Sequence, residues 1–251
     1  SLLSKKIDAK GYDIEKKTSL LNLGKDFLVS KEKFLNDRNV IISVVRDAAD
    51  TLELCQGNNG LFEQQSTKVL IIASTLSPKF VMDLKSKAPK NIMIIDAPMS
   101  GATIAANEAT LTFMVGCEKV FFNYIKPLLE LMGTRINHIG NYGSGMMVKV
   151  LNNFIAASSV ASVRHDMHQD QKFGIDIDAL FQTIDTSSGQ TWFGTNRSDI
   201  EWFKENFEKD NTMGILKKDV EAYVDFFENE SDLDNFVSGE LSLSLIHISE
   251  P

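Results

Sequence analysis

A long apolar run that follows a cluster of glycines is the feature that most constrains the fold of this chain. Gly140, Gly143 and Gly145 precede a segment that stays apolar through Val163, apart from one lysine, two asparagines and some serines. Because apolar residues occur on every side of this segment, it predicts a helix that is buried all round. Other elements must therefore pack around this helix, and the closely spaced glycines suit a tight turn at its start.

Two polar residues lie four positions apart within this predicted helix. Lys149 and Asn153 project from the same face, because residues at i and i+4 are neighbours on a helix. A buried ammonium group needs a paired charge, a shifted pKa or a chemical role, since burying an unpaired charge is costly. A lysine on a partly exposed helix can instead extend its amine to solvent. The spacing alone leaves both interpretations open.

Composition and charge narrow the class of protein. The chain has 251 residues, of which 43% are hydrophobic, enough for one large domain or two ordinary ones. A net charge of −8 argues against nucleic acid as the main partner. The two cysteines, Cys55 and Cys117, lie far apart and indicate thiols kept reduced. The lysine and asparagines in the apolar run argue against a membrane span, so we expect a cytoplasmic protein.

Short apolar runs rich in β-branched residues begin at residue 40. The runs 40–45, 69–73 and 92–95 suit strands that are covered on both faces. Helical stretches at roughly 48–56 and 78–88 separate them. This alternation predicts right-handed crossovers and a Rossmann-like, doubly wound parallel sheet of the α/β class.

The rest of the chain divides around the buried helix. We expect a strand at 111–115, a helix from Val120 to Met132 that Gly133 ends, the long helix from 146 to about 172, and only helices after it. Before residue 40 the pattern is weak, with short strands expected near Ile7 or Tyr12 and at 27–29.

The predicted domains follow from this division. Residues 1–142 form an α/β domain and residues 143–230 an all-α domain that the long helix opens. Residues 231–251 are expected to be disordered or non-native, because their end resembles translated sequencing-adapter sequence. A frayed natural terminus is the alternative.

Polar or small turns follow three of the predicted strands. They occupy residues 45–47, 74–78 and 96–101. In an open α/β sheet, ligands bind outside the carboxyl ends of the strands, so these turns are expected to line one crevice. Each turn alone is weak evidence, because strand ends are normally polar. Three in succession, followed by a glycine-rich entry into a helix with a buried lysine, are more specific.

Four motifs in the same order resemble those of the β-hydroxyacid dehydrogenase family. Residues 96–101 with 111–116 look like its substrate-binding signature, and residues 143–153 are similar to its catalytic glycine-lysine-asparagine motif. Residues 74–78 resemble its nicotinamide-side turn and Lys218-Asp219 its late Lys-Asp pair. The family includes 3-hydroxyisobutyrate dehydrogenase, tartronate semialdehyde reductase and the glyoxylate/succinic semialdehyde reductases, and is related to 6-phosphogluconate dehydrogenase. The likeness runs from about residue 40 to about residue 228.

The resemblance implies hydride transfer between NAD or NADP and a small 3-hydroxyacid or semialdehyde. It makes Lys149 the general acid/base, a role that suits a buried lysine whose pKa is lowered toward neutrality. It implies that Ser100, Gly101, Asn153 and Asp219 bind the substrate, whose carboxylate the first two would hold. It further implies that the cofactor is contacted by Val45, Arg46, Thr75 and Lys218. No metal is implied.

The chain departs from the family's pattern at several positions. Ala102 and Ala109 stand where the family usually has glycine, Arg46 where proline is common, and Met146 where a polar residue is common. These departures affect the substrate assignment more than the reaction class. A larger departure is that no Gly-x-Gly-x-x-Gly turn, the phosphate-binding motif of a dinucleotide site, occurs in the sequence. We therefore expect that the chain begins just after that motif, and that alone it binds NAD(P) poorly and is inactive or unstable.

A function of another class is a non-catalytic relative in which the fold serves as a binding or assembly module. The presence of both Lys149 and Asn153 favours an enzyme, and it disfavours the related imine reductases, which generally replace the lysine. The apolar helix also suggests a homo-oligomer formed through the helical domain, although burial against its own chain explains the same residues.

Other patterns have plainer explanations. His165 and His168 lie three apart on a helix and could bind a metal, but a solvated helix face explains them equally. Residues 201–209 predict an amphipathic helix, residues 228–234 a solvated acidic stretch, and residues 187–190 a loop that could line the cleft.

Overall fold

A computed structural model describes residues 8–14, 27–36, 38–198, 200 and 212–227. The chain divides into two compact units, Ser1–Lys149 and Val150–Pro251. The division falls inside the longest helix, close to the lysine singled out above. The predicted boundary between residues 142 and 143 stays a prediction.

A six-stranded sheet organises the N-terminal unit. Its strands are β1 Val40–Ser43, β2 Val69–Ile72, β3 Met93–Asp96, β4 Met99–Ser100, β5 Leu111–Gly116 and β6 Gly133–Gly140. Their order is β1-β2-β3-β5-β4, and β6 pairs with β5. The first three strands are parallel neighbours, which confirms the strands predicted at 40–45, 69–73 and 92–95. Their carboxyl ends therefore meet at one edge of the sheet.

The sheet is mixed, whereas the sequence suggested a wholly parallel sheet. Strand β5 runs antiparallel to β3 and to β4, and β6 then pairs with β5 in parallel. The helix expected to run to Met132 and to be ended by Gly133 stops at Leu129, and Gly133 begins β6, a strand that was not predicted. This strand is half exposed and carries Arg135, Asn137 and His138, so it lacks the continuous apolar run by which the buried strands were recognised.

Five helices accompany these strands in the described part of the N-terminal unit. They are α1 Lys31–Leu35, α2 Ala48–Gln56, α3 Pro78–Lys87, α4 Ala102–Glu108 and α5 Lys119–Leu129. Helices α2 and α3 confirm the predictions at 48–56 and 78–88. Asp47 caps α2 by accepting the N–H of Asp50 at 3.0 Å, and Pro78 occupies the first turn of α3. Helix α5 ends before the predicted Met132, and α4 was not predicted.

Two apolar clusters cover the opposite faces of the sheet. Leu70 and Ile72 of β2 pack into one cluster, whereas Val69 and Ile71 pack into the other. All four side chains are buried. Because side chains alternate across a strand, burial on both faces explains why β2 is a continuous apolar run.

A separate parallel bridge joins the described segments before β1. Gly11 donates its N–H to the carbonyl of Phe27 at 2.8 Å and accepts the N–H of Val29 at 3.0 Å. The short strands expected near Tyr12 and at 27–29 are thus represented by a single bridge. Ile7, the other predicted position, lies outside the described residues.

The C-terminal unit is helical throughout its described residues. Its helices are α6 Ser144–Phe173, which starts in the first unit, α7 Ile177–Ile184, α8 Trp192–Thr195 and α9 Thr212–Phe227. Val160, Phe181 and Met213 are fully buried together. The predicted long helix and the loop at 187–190 are confirmed. The prediction that this helix is buried all round was wrong, because Ile155 is 67% exposed. The predictions at 201–209, 228–234 and 231–251 fall on residues that the structure does not describe.

Helix α6 also meets a coarse test for membrane spans. Its segment Ser144–Met167 is long and apolar enough to cross a bilayer by length and composition, and 44% of an 18-residue apolar stretch within it is buried inside the structure. The core helix of a soluble protein passes the same test, so this is weak evidence for a span.

Candidate active site

The turns after β1 and β2 lie side by side at the carboxyl edge of the sheet. The Ser74 hydroxyl donates a 2.8 Å hydrogen bond to the carbonyl of Val45, which ties the two turns together. Val45 and Thr75 are half-buried and Arg46 is exposed. The three residues expected to contact the cofactor thus belong to two adjacent turns. The structure places them where a ligand of an open α/β sheet binds.

Ser100 and Gly101 end β4 on the same sheet. Ser100 pairs with Thr112 of β5 and is half-buried, whereas Gly101 is exposed. Gly101 has a φ of 133°, a conformation that favours glycine, and a Cβ there would overlap that of Ala105. The backbone can therefore turn sharply from β4 into α4. This turn leaves both residues at least partly accessible.

Asp96 is completely buried at the end of β3. One carboxylate oxygen, Oδ1, accepts the N–H of Gly143 at 2.7 Å, and the other, Oδ2, accepts the N–H of Met146 at 2.7 Å. Burial raises the pKa of this carboxyl to about 6, although the hydrogen bonds from the main-chain amides of Gly143 and Met146 act to lower it. Asp96 holds the start of α6 against the end of β3. The sequence-based predictions assigned this residue no role of its own.

The first turn of α6 is attached to β2 as well. Met146 is fully buried, and its sulfur accepts the N–H of Leu76 at 3.3 Å. Leu76 directly follows Thr75, so the turn after β2 contacts the same helical turn that Asp96 caps. The apolar residue at 146, a departure from the family's pattern, is thus part of the core of the N-terminal unit.

Lys149 lies one turn further along α6 and is 8% exposed. This burial contradicts the interpretation in which the lysine extends to solvent from a partly exposed helix. The next helical turn carries Asn153, which is also 8% exposed. Both residues are therefore buried polar groups on one face of α6, as their spacing predicted.

In the C-terminal unit, Asn153 is bonded to Asp219 of α9. The Asn153 amide donates from Nδ2 to Asp219 Oδ2 at 2.6 Å, and Asn152 donates to Asn153 Oδ1 at 3.0 Å. Asp219 is 4% exposed, and the Lys218 amine lies 3.2 Å from its Oδ1. Among the described residues that oxygen has no partner with hydrogen-bond geometry. The structure thus brings together three of the predicted site residues, Asn153, Lys218 and Asp219.

Two alternative sites receive no support within the described residues. No group of three or more His, Cys, Asp or Glu there could hold a metal ion, and His165 is exposed. A cavity of about 170 Å³ lies against the sheet, but its lining residues, which include Ile42, Val44 and Phe113, are apolar. Such a lining suits neither a phosphate nor a carboxylate. Cys117 is a free, buried cysteine.

The carboxyl edge fits the nicotinamide end of a dinucleotide. Val44 is 60% exposed there and offers apolar surface beside the main-chain and hydroxyl groups of the adjoining turns. Apolar surface with a few polar groups is what a planar heteroaromatic ring requires. The glycine turn that would hold the phosphates does not occur in the sequence.

These features define a class: a Rossmann-like α/β unit joined to a helical unit through a long helix with a buried lysine. A family model described as the NAD binding domain of 6-phosphogluconate dehydrogenase matches residues 1–140. A second, described as NAD-binding of NADP-dependent 3-hydroxyisobutyrate dehydrogenase, matches residues 143–231. The chain belongs to the β-hydroxyacid dehydrogenase family.

Relatives agree with this membership. The chain is 35% identical over 185 residues to the mitochondrial 3-hydroxyisobutyrate dehydrogenase of Drosophila melanogaster. The aligned residues make up 73% of this chain and 53% of the relative. It is 29% identical over 165 residues to the 2-(hydroxymethyl)glutarate dehydrogenase of Eubacterium barkeri, covering 65% and 55% of the two chains. The chain thus spans about half the length of these curated relatives.

A solved structure shares the fold. The 3-hydroxyisobutyrate dehydrogenase of Mycobacterium tuberculosis, determined with L-serine, matches with a TM-score of 0.79 at 21% identity. The match covers 99% of this chain and 89% of that one. At this identity the likeness shows the fold alone.

Proposed function

We propose that the protein transfers a hydride between NAD or NADP and a small 3-hydroxyacid or its semialdehyde. The observation that carries this proposal is the buried Lys149 on a helix whose first turn is bonded to two strand ends of the sheet. The names of the relatives support the substrate class. In both 3-hydroxyisobutyrate and 2-(hydroxymethyl)glutarate, a CH₂OH group is attached to the carbon that bears a carboxylate.

Lys149 acts as the general acid/base in this proposal. During oxidation it takes the proton from the substrate hydroxyl, and during reduction it returns a proton to the carbonyl oxygen. A buried amine suits this role because a low-polarity environment favours its neutral form, which is the form that accepts a proton.

The remaining residues bind and orient the substrate. The Ser100 hydroxyl and the Gly101 N–H donate to its carboxylate, a pair of donors that requires no full charge. Asn153, held by Asp219 at 2.6 Å, presents its amide to the substrate in one orientation. A fixed orientation matters because a small misplacement of the reacting groups costs rate.

The nicotinamide cofactor supplies the hydride acceptor or donor. Val45, Arg46 and Thr75 would hold its nicotinamide end at the carboxyl edge of the sheet. Lys218 is the fourth residue proposed to contact the cofactor. The side chain of Arg46 is exposed and carries a positive charge, which suits an anionic cofactor.

A homo-oligomer in the cytoplasm is part of the proposal. Met147, Leu151 and Ile155 follow one another at four-residue intervals on α6 and are 37%, 37% and 67% exposed. Such an apolar stripe on a helix is suited to packing against a second copy of the chain. Sedimentation of the wild type beside Leu151→Asp tests this part, and a wild type that sediments as a monomer contradicts it.

The test of function combines a cofactor titration with a matched substrate panel. The purified protein is titrated with NADH and NADPH, and reduction of NAD and NADP is followed with 3-hydroxyisobutyrate and 2-(hydroxymethyl)glutarate. Matched controls are isobutyrate, which lacks the hydroxyl, and 2-methylpropan-1-ol, which lacks the carboxylate. We expect any turnover to be confined to the hydroxyacids and to be weak, because the sequence has no phosphate-binding glycine turn and this chain alone is expected to bind NAD(P) poorly. Folded protein that binds cofactor without any turnover would favour the non-catalytic module instead.

A further inference from the structure

The carboxylate of Asp96 joins two parts of the N-terminal unit that carry proposed site residues. Its two oxygens each accept one main-chain N–H from the start of α6, at Gly143 and Met146, both at 2.7 Å. The first N–H groups of a helix lack partners within the helix, and a carboxylate is a favourable acceptor for them. The capping carboxylate belongs to β3, and it stands 47 positions before Gly143 and 50 positions before Met146 in the chain.

The segment that follows Asp96 is held equally firmly. Ala97 donates its N–H to the carbonyl of Ile72 at 2.8 Å, and the carbonyl of Pro98 accepts the N–H of Met114 at 3.0 Å. Two residues later Ser100 pairs with β5. Asp96 is therefore attached through a short, hydrogen-bonded path to the turn that would hold the substrate carboxylate.

Two glycines allow the carboxylate to approach this closely. A Cβ on Gly116 would overlap Asp96 Oδ1, and a Cβ on Gly145 would lie 3.0 Å from Asp96 Oδ2 and overlap the carbonyl of Met114. The carboxylate therefore occupies a space with little freedom. Glutamate would not fit, and asparagine would turn an N–H₂ group toward one of the two amide donors.

From this arrangement we infer that Asp96 is a positioning residue, which sets the distance between the Lys149 amine and the Ser100–Gly101 turn. The inference rests on the proposed role of Lys149 and deepens it. Because Lys149 follows Met146 by three residues on one rigid helix, a shift of the capped turn moves the amine with it. Asp96 acts through this turn and not by contact with the substrate.

The first test compares Asp96→Asn with Asp176→Asn. Asp176 caps α7 in the same way, by accepting the N–H of Ala179 at 2.8 Å, but its helix carries no proposed catalytic residue. Amide hydrogen exchange is measured for residues 143–149 and, as a reference, for β2. The acylation rate of Lys149 by acetic anhydride is measured relative to the half-exposed Lys87.

Asp96→Asn is expected to speed exchange at residues 143–149 by about 10-fold, because one of the two main-chain amides loses its acceptor and the other loses a charged one. It is also expected to change the relative acylation of Lys149 several-fold while β2 exchanges as before. Asp176→Asn should change neither. Unchanged Lys149 acylation overturns the inference, and so does faster exchange throughout the sheet, which would indicate a merely structural role.

A measurement on the wild type covers the case in which Asp96→Asn does not fold. The ¹³C shift of the Asp96 carboxyl and the ¹⁵N shifts of Gly143 and Met146 are followed from pH 4.5 to 7.5, and all three should share one midpoint. Burial, and after it the Asp96 charge, raises the pKa values of Cys117 and Tyr142, so both stay protonated over this range. Amide shifts that do not follow the carboxyl overturn the inference.

Kinetics distinguish this inference from the proposed function. If both hold, Asp96→Asn lowers kcat by about 10-fold or more and leaves the KM for the cofactor nearly unchanged. If turnover never depends on Lys149 but its acylation still responds to Asp96→Asn, the proposed function fails and the positioning of the lysine by Asp96 stands.

Discussion

Asp96 accepts the main-chain N–H of Met146 at 2.7 Å, although the two residues stand 50 positions apart in the sequence. Met146 in turn accepts the N–H of Leu76 through its sulfur at 3.3 Å. The end of β3, the turn after β2 and the first turn of α6 are thereby joined. The buried lysine follows directly on that helix, so its position depends on contacts made at the strand ends.

The buried carboxyl of Asp96 predicts a distinct pH dependence of stability. Its pKa is raised from 3.8 to about 6, so the folded state retains a proton that the unfolded state loses between these values. The stabilisation that the protonated carboxyl gives the folded state is therefore complete below about pH 4 and is lost as the pH rises through 6. Over this range the free energy of unfolding falls by roughly 3 kcal/mol at most. Denaturant unfolding at pH 4, 5, 6 and 7 measures this.

The control for that prediction is Asp96→Asn, which cannot titrate. The unfolding free energy of the wild type minus that of this variant should fall as the pH rises from 4 to 7. A difference that stays constant from pH 4 to 7 would show that Asp96 titrates at its ordinary pKa.

Replacement of Met146 by leucine tests the sulfur contact. The apolar volume is nearly kept, but the N–H of Leu76 loses its acceptor inside the core, so we expect a loss of about 1–2 kcal/mol in unfolding free energy. The neighbouring Met147, which is 37% exposed, is the matched control, and Met147→Leu should change stability by less than about 0.5 kcal/mol. Equal effects of the two changes would contradict a role for the sulfur.

Ala109 offers a stabilising substitution. It ends α4 with φ 58° and ψ 38°, a left-handed conformation that is costly for a residue with a Cβ. Ala109→Gly should raise the unfolding free energy by about 0.5–1 kcal/mol, because relief of this strain exceeds the added flexibility of the unfolded chain. Ala106→Gly within the same helix should have the opposite sign. A destabilising Ala109→Gly would show that the left-handed geometry is not adopted in solution.

Asp219→Ala tests the bond that holds Asn153. It leaves the buried Nδ2 donor of Asn153 without its acceptor, so we expect a loss of roughly 1–3 kcal/mol. Glu221→Ala on the same helix removes an exposed carboxylate 4.0 Å from Lys217 and should cost less than about 0.5 kcal/mol. If Asp219→Ala is as mild as the control, Asn153 is held by other groups.

Lys149→Met tests the proposed chemistry. It keeps the length of the side chain but removes the proton carrier, so turnover of the hydroxyacid should fall by about 10²-fold or more while cofactor affinity changes little. Lys217→Met, on the C-terminal unit, should retain the wild-type rate. A Lys149→Met variant with a near wild-type rate removes this lysine from the mechanism.

The local sequence pattern was sufficient to predict most helices and strands, and to predict that two polar residues share one face of α6. The continuous apolar runs identified β1, β2 and β3 because burial on both faces leaves a signal in each strand alone. Lys149 and Asn153 could be paired because four residues make one helical turn. Strand β6 and the short β4 were missed because a half-exposed edge strand and a two-residue strand carry little apolar signal.

The sequence by itself determined the α/β class, the long apolar helix and the two polar residues on its face, since hydrophobic periodicity is a property of neighbouring residues. Only the tertiary structure decided that Asp96 caps that helix and that Asp219, 66 positions from Asn153, holds its amide. The physical reason is that these contacts join distant segments. Two of them end on main-chain N–H groups, which every residue except proline possesses and which therefore leave no mark in the sequence.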